Sequence, residues 1–420
     1  MQLTECKDYT EVRVGIYTIA CNEEKFVDRW VEAHKQADAL YVLVNNSRDG
    51  TFGKLRAYAE GELKGKLFVE NVEYETFRFD VARNDNLKMI PSVEKGGPHI
   101  LIQVDMDECL EGSWYGDFRR AAVKHPRFLD LRYYYAWSHK VEDGKLVPDR
   151  VISYNKCHRN VPGEVKWEFP VHETLKYSPR YLEESREENR GGGTHWVTDE
   201  KGGTPIYLHH YPDPTKSRGS YLGLLELRAK ENPDDLYGLF YLGREYTFKG
   251  MWQKSIETYS GLYARLTKEK DEMLMLGPVC LEIATGYSHF PGHKDEIEYF
   301  CKKAIEYAPS YRDSYVFYAQ WLAYEARPVE ALSVLKEAEA KTVKHNDWRE
   351  ASYCWHPFKT AQIKADSYCW LGEYELAWKT INEGLNSIVS KEDEEYAKGV
   401  GFFGDFEWIK RKIESLRKGV

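Results

Sequence analysis

The sequence lacks several features that would each indicate a particular class of protein. None of its eight cysteines forms a C-x-x-C pair, which argues against zinc binding, and a chain of 420 residues needs no disulfide bonds for stability. No run approaches the roughly 18 apolar residues of a membrane span. The mostly polar first ten residues contain no secretory signal. A cytoplasmic protein with reduced thiols is therefore expected.

An excess of positive charge is also missing. The net charge is −9 at pH 7, whereas a general nucleic-acid-binding protein needs a basic face. We therefore expect no nucleic-acid partner. Hydrophobic residues make up 42% of the chain and aromatic residues 14%, with 12 tryptophans and 31 tyrosines. This composition supports packed cores, and the length predicts two domains or three small ones.

The first half of the chain alternates short apolar runs with helical patterns. The runs Val12–Ala20, Leu40–Asn45 and Leu67–Asn71 read as buried strands. Asn22 is the predicted N-cap of the helix after the first strand, which would extend to about Ala37. Strands that alternate with helices predict a parallel, doubly wound sheet.

The stretch His99–Glu108 is the most informative part of this half. It reads H-I-L-I-Q-V-D-M-D-E, a buried strand that ends in Asp105 and Asp107. In parallel sheets, ligands bind beyond the carboxyl ends of the strands. Two carboxylates there repel each other, and a bound divalent cation such as Mg²⁺ or Mn²⁺ removes that penalty. The alternative is a helix N-cap followed by a solvated acid.

Three further candidate positions can each be interpreted as part of a functional site or as ordinary structural residues. Arg83 lies one turn into the helix before this strand and could reach its edge, or it could be a surface residue in an ion pair. Glu173 follows a histidine and is weak evidence alone. The run Ile206–Tyr211 ends in His209 and His210, and either imidazole could complete a carboxylate metal site or lie in the core.

The second half of the chain reads as helices and contains an internal repeat. Small and aromatic residues recur with the spacing of the 34-residue tetratricopeptide pattern. Its three matches begin at Leu242-Gly243-x-x-Tyr246, at Tyr315 with Tyr318-Ala319, and at Ala361 with Ala365 and Tyr368. Ala304 with Pro309 predicts a degenerate unit between the first two. Such arrays often bind peptides or proteins on a concave face, and an irregular helical bundle is the alternative.

Taken in order, these segments resemble family 2 glycosyltransferases of the GT-A fold over residues 11 to 215. The similarity rests on I-Y-T-I-A-C-N-E-E, V-L-V-N-N-S-R-D-G-T, A-R-N, D-M-D, V-H-E and L-H-H-Y. With the repeats, the chain is similar to sublancin-type peptide S-glycosyltransferases. The resemblance implies an α/β GT-A domain over residues 1–215, Rossmann-like with a mostly parallel sheet. An all-α tetratricopeptide-like domain would follow over residues 216–420.

The resemblance also assigns roles to individual residues. It places six residues at the nucleotide-sugar donor: Thr18, Ala20, Glu23, Asn45, Arg83 and Asp105. It gives Asp105, Asp107 and His210, or His209 in its place, to a divalent metal, and it makes Glu173 the general base. Asn45 stands where the family usually has an aspartate, so the identity of the nucleotide stays open.

The implied function is a metal-dependent inverting glycosyltransferase of the hexosyl type. It would use Mn²⁺ or Mg²⁺ and move a sugar from a nucleotide-sugar, a UDP-sugar above all, to a peptide or protein docked partly on the repeats. A glycan or lipid-linked acceptor is the alternative, and a homodimer is one open oligomeric state. A nucleotidyltransferase would need a Gly-rich basic loop where Ala20-Cys21-Asn22-Glu23 stands. Asn45 is the feature that favours an inactive repeat scaffold.

Overall fold

A computed structural model describes residues 1–142, 144–186, 188–189, 194–200, 206–213, 215, 221–268, 275–345 and 352–417. The chain divides into two compact units, Met1–Glu231 and Asn232–Val420. The first unit combines strands with helices, and the regular elements described in the second are all helices. No helix in the described ranges is both long and apolar enough to cross a bilayer.

The first unit contains thirteen strands and six α-helices within its described residues. In chain order they are β1 Val14–Ala20, α1 Val27–His34, β2 Ala39–Asn45, α2 Thr51–Glu60, β3 Leu67–Val72, α3 Phe79–Lys88, β4 Ile100–Gln103, β5 Glu108–Leu110, α4 Trp114–Lys124, β6 Leu131–Ala136, β7 His139–Glu142, β8 Lys145–Pro148, β9 Val151–Arg159, β10 Val165–Glu168, β11 Thr174–Tyr177, α5 Pro179–Ser185, β12 His195–Trp196, β13 Tyr207–His210 and α6 Tyr221–Glu231.

The centre of the main sheet consists of strands that are apolar on both faces. Every residue of β1, β2 and β4 is buried. These strands pair in parallel, with Gly15 opposite Ala39 and Val14 opposite Ile100. Strands covered on both faces are typical of parallel sheets, so the predicted buried strands are confirmed here. The predicted strand at Leu67 is also confirmed, as β3.

The rest of the main sheet is mixed, and antiparallel pairings join the mostly parallel ones that the sequence predicted. The strand order is β3-β2-β1-β4-β9-β6-β13-β5, and β12 pairs with β6. Strand β9 runs antiparallel to both β4 and β6, and β13 runs antiparallel to β5. The aromatic strand β6 returns through the short hairpin of β7 and β8 into β9, and a direct return of this kind makes neighbouring strands antiparallel.

The helix after β1 begins later than predicted. Asn22 does not cap it, because α1 starts at Val27 with Phe26 as its N-cap. Asn22 instead adopts a left-handed conformation with a φ of 55°. Its side-chain oxygen accepts a hydrogen bond from the Arg48 backbone N–H at 2.8 Å. The amide side chain therefore joins the ends of β1 and β2, and this contact was not visible in the local pattern.

The boundary between the two units lies one helix later than the predicted break after residue 215. Helix α6 belongs to the first unit. It is attached there by Arg228, which is 2% exposed, and by Glu231, whose carboxylate lies 2.7 Å from a guanidinium nitrogen of Arg78. These contacts join residues distant in sequence, so the composition of the chain near residue 215 did not reveal them.

The second unit is a series of helix pairs. Its helices are α7 Leu236–Phe248, α8 Trp252–Leu266, α9 Leu276–Tyr287, α10 Lys294–Tyr307, α11 Arg312–Tyr324, α12 Pro328–Glu339, α13 Pro357–Trp370, α14 Tyr374–Asn386, α15 Lys391–Gly399 and α16 Phe402–Arg417. The first eight pack as consecutive pairs, from α7 with α8 to α13 with α14. Helices α9 and α10 form the pair at the place of the predicted degenerate unit.

Small residues explain why the helices of a pair approach closely. A Cβ atom added to Gly243 on α7 would lie 2.8 Å from the ring of Tyr259 on α8. Tyr259 is fully buried, as the tetratricopeptide pattern predicts for this aromatic position. A Cβ atom on Gly286 of α9 would likewise lie 2.6 Å from Ile256 of α8. The Leu-Gly, Tyr and small-residue positions of the pattern are therefore packing positions between neighbouring helices.

Candidate functional site

The predicted site lies where the strand order of the sheet reverses. Strand β1 has β2 on one side and β4 on the other. The crevice beyond the carboxyl ends of strands at such a switch point is where ligands bind in open α/β sheets. Ala20 ends β1, Gln103 ends β4, and Asp105 follows two residues later. The structure therefore places the D-M-D segment at the edge that the sequence predicted.

A single arginine joins two of the predicted site residues in this crevice. Arg83 on α3 donates from Nε to Oε1 of Glu173 at 2.5 Å. Its Nη2 donates to Asp105, at 3.0 Å from Oδ1 and 3.3 Å from Oδ2. The arginine side chain is 4% exposed, that of Glu173 8% and that of Asp105 33%. Arg83 is therefore not a surface residue. It is buried and forms hydrogen bonds with two acids.

The three charges stabilise each other's ionised forms. Burial opposes ionisation of Glu173, but the Arg83 and Lys156 cations outweigh it and lower the pKa of the carboxyl. The pKa of Asp105 is lowered in the same way, since Arg83 and Lys156 outweigh its burial. Burial alone would lower the pKa of Arg83, and the two carboxylates raise it instead. Both acids are therefore ionised at neutral pH.

Two neighbours that the sequence analysis missed hold Asp105 in place. Gln103 donates from Nε2 to Oδ1 of Asp105 at 2.8 Å, and the Asp105 backbone N–H donates to Oε2 of Glu108 at 2.8 Å. Burial, followed by the charges of Asp105 and Asp107, raises the pKa of Glu108 to about 7. The adjacency of Glu108 to D-M-D was the signal available in the sequence.

The second acid of the motif lies beside a histidine. Oδ2 of Asp107 is 3.4 Å from Nε2 of His210, and Nδ1 of this imidazole lies 3.2 Å from the Trp137 carbonyl oxygen. Strands β13 and β5 bring them together, with His210 opposite Glu108 in the register. Burial would lower the pKa of His210, but Asp107 outweighs it and raises the pKa. In the neutral form, an Nδ1–H donated to Trp137 leaves the Nε2 lone pair on the side of Asp107.

The neighbouring histidine does not share this position. The Nδ1 atom of His209 lies 2.9 Å from Nε2 of His139, and its own Nε2 lies 3.6 Å from Glu111. Successive residues of a strand point to opposite faces. Between the two histidines that the sequence left open, His210 is therefore the one beside Asp107.

The three predicted metal ligands do not form one compact cluster. Asp105 is hydrogen-bonded to Arg83 and Gln103, while Asp107 faces His210. Within the described residues, one group of three has ligand atoms that all lie within 4.8 Å of one another, and it contains none of these three residues. One carboxylate and one imidazole still suit Mg²⁺ or Mn²⁺, because these ions take their remaining ligands from water and substrate phosphates. Asp107 and His210 therefore fit the implied metal better than Asp105 does.

The different group consists of His125, Glu188 and His195. The two imidazole rings are stacked with their centroids 3.9 Å apart. Burial and the neighbouring His195 lower the pKa of His125 to about 4. His125 directly follows α4 and His195 begins β12, so these residues belong to other elements than the D-M-D site.

The remaining predicted donor residues line the ends of the first two strands. Thr18 and Ala20 are buried within β1, and the Thr18 hydroxyl donates to the Ile19 carbonyl at 3.1 Å. The backbone N–H of Glu23 donates to the Thr51 hydroxyl at 2.8 Å. The side chains of Thr18 and Ala20 are therefore buried in the packed first unit and are not exposed on a surface.

Asn45 ends β2 and is 2% exposed. Its Oδ1 is buried and has no hydrogen-bond partner among the described residues. A buried polar atom of this kind is costly unless a ligand or water satisfies it. Asn45 therefore presents a buried oxygen without a hydrogen-bond partner in the described part of the chain, at the carboxyl end of β2, where the sequence predicted a donor residue.

A cavity of about 600 Å³ opens beside His210. It is lined by Lys25, Phe26, Arg29, Trp137, Ser138, His139, His210, Tyr211 and Pro212. The Arg29 guanidinium carbon lies 4.6 Å from the Tyr211 ring centroid and 4.9 Å from that of Phe26. The cavity thus combines aromatic walls with cationic groups next to the Asp107–His210 pair.

Comparison with known proteins returns only distant similarity. No family model matches the chain, and no curated protein matches it. Among solved structures, MamA is 15% identical over 42% of this chain and 89% of its own, with a TM-score of 0.33. A thermophilic TPR protein of Thermus thermophilus is 18% identical over 44% and 89%, with a TM-score of 0.32. YrrB, a TPR protein with an unusual peptide-binding site, is 13% identical over 43% and 83%, also at 0.32. TM-scores this low bear on neither the site nor its chemistry.

Proposed function

We propose that the first unit is a metal-dependent inverting glycosyltransferase of the GT-A type that uses a nucleotide-sugar donor. The observation that carries the proposal is the ion-pair chain of Glu173, Arg83 and Asp105 at the switch point of the sheet. Asp107 belongs to the same D-M-D segment as Asp105, and its partner His210 on β13 lines a cavity. An acid for proton transfer, a buried cation and a hard-metal ligand pair thus occur at one sheet edge.

Each residue has a defined part in this proposal. Asp107 and His210 would hold the divalent metal, which neutralises the charge that the departing diphosphate gains. Arg83 orients Asp105 and Glu173 through charge-assisted hydrogen bonds, which are stronger than neutral ones. Asp105 balances the charge of Arg83 and keeps it in place on the donor side.

Glu173 would act as the general base. Its lowered pKa keeps it ionised at neutral pH, as a proton acceptor must be. In a single displacement, the acceptor atom forms a bond to the anomeric carbon while the bond from that carbon to the diphosphate oxygen breaks. The acceptor proton passes to Glu173. The inverting outcome follows from the family resemblance.

A peptide or protein is the acceptor class that the second unit supports best. Paired helices with small residues at their contacts form arrays of the kind that bind peptides on a concave face. A transferase that carries such an array in the same chain has a means to hold a long acceptor.

A thermal-shift panel of UDP-, GDP- and dTDP-sugars, each with and without Mn²⁺, tests the proposal. A ligand that binds only the folded state raises its stability by mass action. We expect one donor to raise the melting temperature only when Mn²⁺ is present, and Asp107→Asn to abolish that shift. If the folded protein responds to no donor, the inactive repeat scaffold becomes the better account.

A further inference from the structure

The turn that carries Glu173 has an unusual backbone. It connects β10 to β11 and contains two non-glycine residues with positive φ, Phe169 at 83° and His172 at 49°. Residues with a Cβ atom rarely adopt this region, because it brings side chain and backbone into close contact. Such conformations persist only where surrounding contacts hold them. The position of Glu173 therefore depends on whatever holds this turn.

One side chain of α6 makes three contacts with that turn. The Nη1 atom of Arg228 donates to the backbone carbonyl oxygens of Val171 at 2.9 Å and His172 at 2.8 Å. The guanidinium carbon lies 3.8 Å from the ring centroid of Phe169. Arg228 is 2% exposed, so these hydrogen bonds are shielded from water. A planar guanidinium can stack and donate in this way, whereas a lysine ammonium cannot reproduce the stacking.

We propose that Arg228 is a positioning residue that fixes the Phe169–His172 turn and thereby sets the place of the Glu173 carboxylate. The contacts run from Arg228 to the backbone of the turn, from Glu173 to Arg83, and from Arg83 to Asp105. The contacts of Arg228 described above are with the turn, so we infer that it acts on the site through the position of Glu173. The expected effect of Arg228 on sugar transfer rests on the proposed function. Its effect on the position of the turn rests on the contacts alone.

A second attachment of α6 supplies a matched control. Glu231 pairs with Arg78 at 2.7 Å and fastens the end of the helix to the start of α3. This ion pair does not involve the turn. Glu231→Gln therefore loosens α6 at one point and leaves the Arg228 hydrogen bonds intact. A difference between Arg228 and Glu231 variants separates a clamp on the turn from general docking of the helix.

The experiment compares Arg228→Gln, Arg228→Lys and Glu231→Gln with the full wild-type chain. Hydrogen–deuterium exchange of the β10–β11 hairpin, residues 165–177, reports on the turn without any substrate. Donor affinity in Mn²⁺ and the kcat and KM of transfer report on the site. Far-UV circular dichroism and a thermal melt establish whether each variant folds. If Arg228→Gln does not fold, Arg228→Lys replaces it as the test variant.

We expect Arg228→Gln to raise exchange in the hairpin about tenfold while β1 and β4 keep wild-type exchange. Its kcat should fall about 100-fold, since a misplacement of about 1 Å can have that effect, with donor affinity and KM close to wild type. Arg228→Lys should give hairpin exchange and kcat between those of wild type and Arg228→Gln. Glu231→Gln should match wild type in both hairpin exchange and kcat. An unchanged hairpin in Arg228→Gln would overturn the positioning role whatever the donor results.

The failure of the proposed function gives a different pattern. In that case the wild-type chain itself binds no donor in Mn²⁺, while the exchange data still decide whether Arg228 holds the turn. If the wild type transfers sugar and Arg228→Gln does so at the same kcat, the site is intact without the clamp and the inference is wrong.

Discussion

The two acids bound to Arg83 in the first unit and two buried acids of the second unit differ in the direction of their pKa shift. In the first unit, Asp105 and Glu173 flank the guanidinium of Arg83, and their pKa values are lowered although both acids lie in a crevice. In the second unit, burial raises the pKa of Glu282 to about 7, and burial with a neighbouring aspartate does the same for Asp366. The acids bound to Arg83 are therefore charged at neutral pH, whereas Glu282 and Asp366 are largely neutral below pH 7.

The difference follows from the partners that the fold supplies. Two hydrogen-bonded contacts from Arg83 compensate the two acids of the crevice. Glu282 accepts a hydrogen bond from the Thr247 hydroxyl at 3.3 Å, and the charge of Arg244 acts on it only as a weaker, opposing influence. A buried ion pair is seldom the most stable way to fill a space. The buried ion pairs of Arg83 are therefore consistent with the proposed function of the first unit, whereas Glu282 lies among packed helices with no ion pair of this kind described for it.

The largest effect is expected on removal of the shared cation. Arg83→Met leaves Asp105 and Glu173 without their hydrogen-bonded cation, and breaking a buried pair in this way destabilises by about 3–5 kcal/mol. The measurement is the free energy of unfolding from urea denaturation at pH 7. Arg244→Met is the control in the second unit and should change that free energy by less than about 1 kcal/mol. Equal losses for both variants would remove the contrast between the units.

The second prediction concerns pH and Glu282. Its ordinary pKa of 4.5 applies to the unfolded chain, and a value of about 7 applies to the folded one. As pH rises from 4.5 to about 7, the unfolded state loses the proton while the folded state keeps it, so stability falls across this window and then levels off. Glu282→Gln should be the more stable protein at pH 8, by about 3 kcal/mol.

Urea denaturation of wild type and Glu282→Gln from pH 4 to pH 8 makes this comparison. At pH 4 the two proteins should agree, because Glu282 is protonated in both states there. A gain that is the same at pH 4 and pH 8 would point to packing and not to ionisation.

The third prediction tests helix packing in the second unit. Gly243→Ala would place a Cβ atom 2.8 Å from the buried Tyr259 ring, and overpacking of this kind costs about 1–3 kcal/mol. Gly261→Ala on α8 is the control, since no atom lies within 4 Å of its added Cβ. Alanine is the better helix former, so the control should gain about 1 kcal/mol or less. Thermal unfolding should therefore shift in opposite directions, and a gain in both variants would contradict the close contact.

Patterns within a few residues predicted much of this fold. The runs of Val, Ile and Leu in β1, β2 and β4 are buried on both faces, and hydrophobic periodicity was enough to place them. The repeat spacing likewise identified Gly243 and Tyr259 as pattern positions, and the structure places them against each other. These elements are determined by local composition and by contacts at a fixed sequence interval.

What the sequence did not predict depends on contacts between distant residues. Asp105 is hydrogen-bonded to Arg83, which lies 22 residues earlier in the chain, whereas Asp107 faces His210. The choice of His210 over His209 depends on the register of β13 against β5. Arg228 had no local signal, since its partners lie more than 50 residues earlier in the chain.

The central claim is that Asp107 and His210 form a metal-dependent donor site, and isothermal titration of the responding nucleotide-sugar in Mn²⁺ tests it most directly. His210→Ala removes the imidazole beside Asp107, and His209→Ala removes its neighbour on the same strand, which contacts His139 instead. We predict that His210→Ala weakens donor binding at least about tenfold, as loss of a metal ligand should, and that His209→Ala binds like wild type. Equal affinity in wild type and His210→Ala, or binding that does not require Mn²⁺, would contradict the claim.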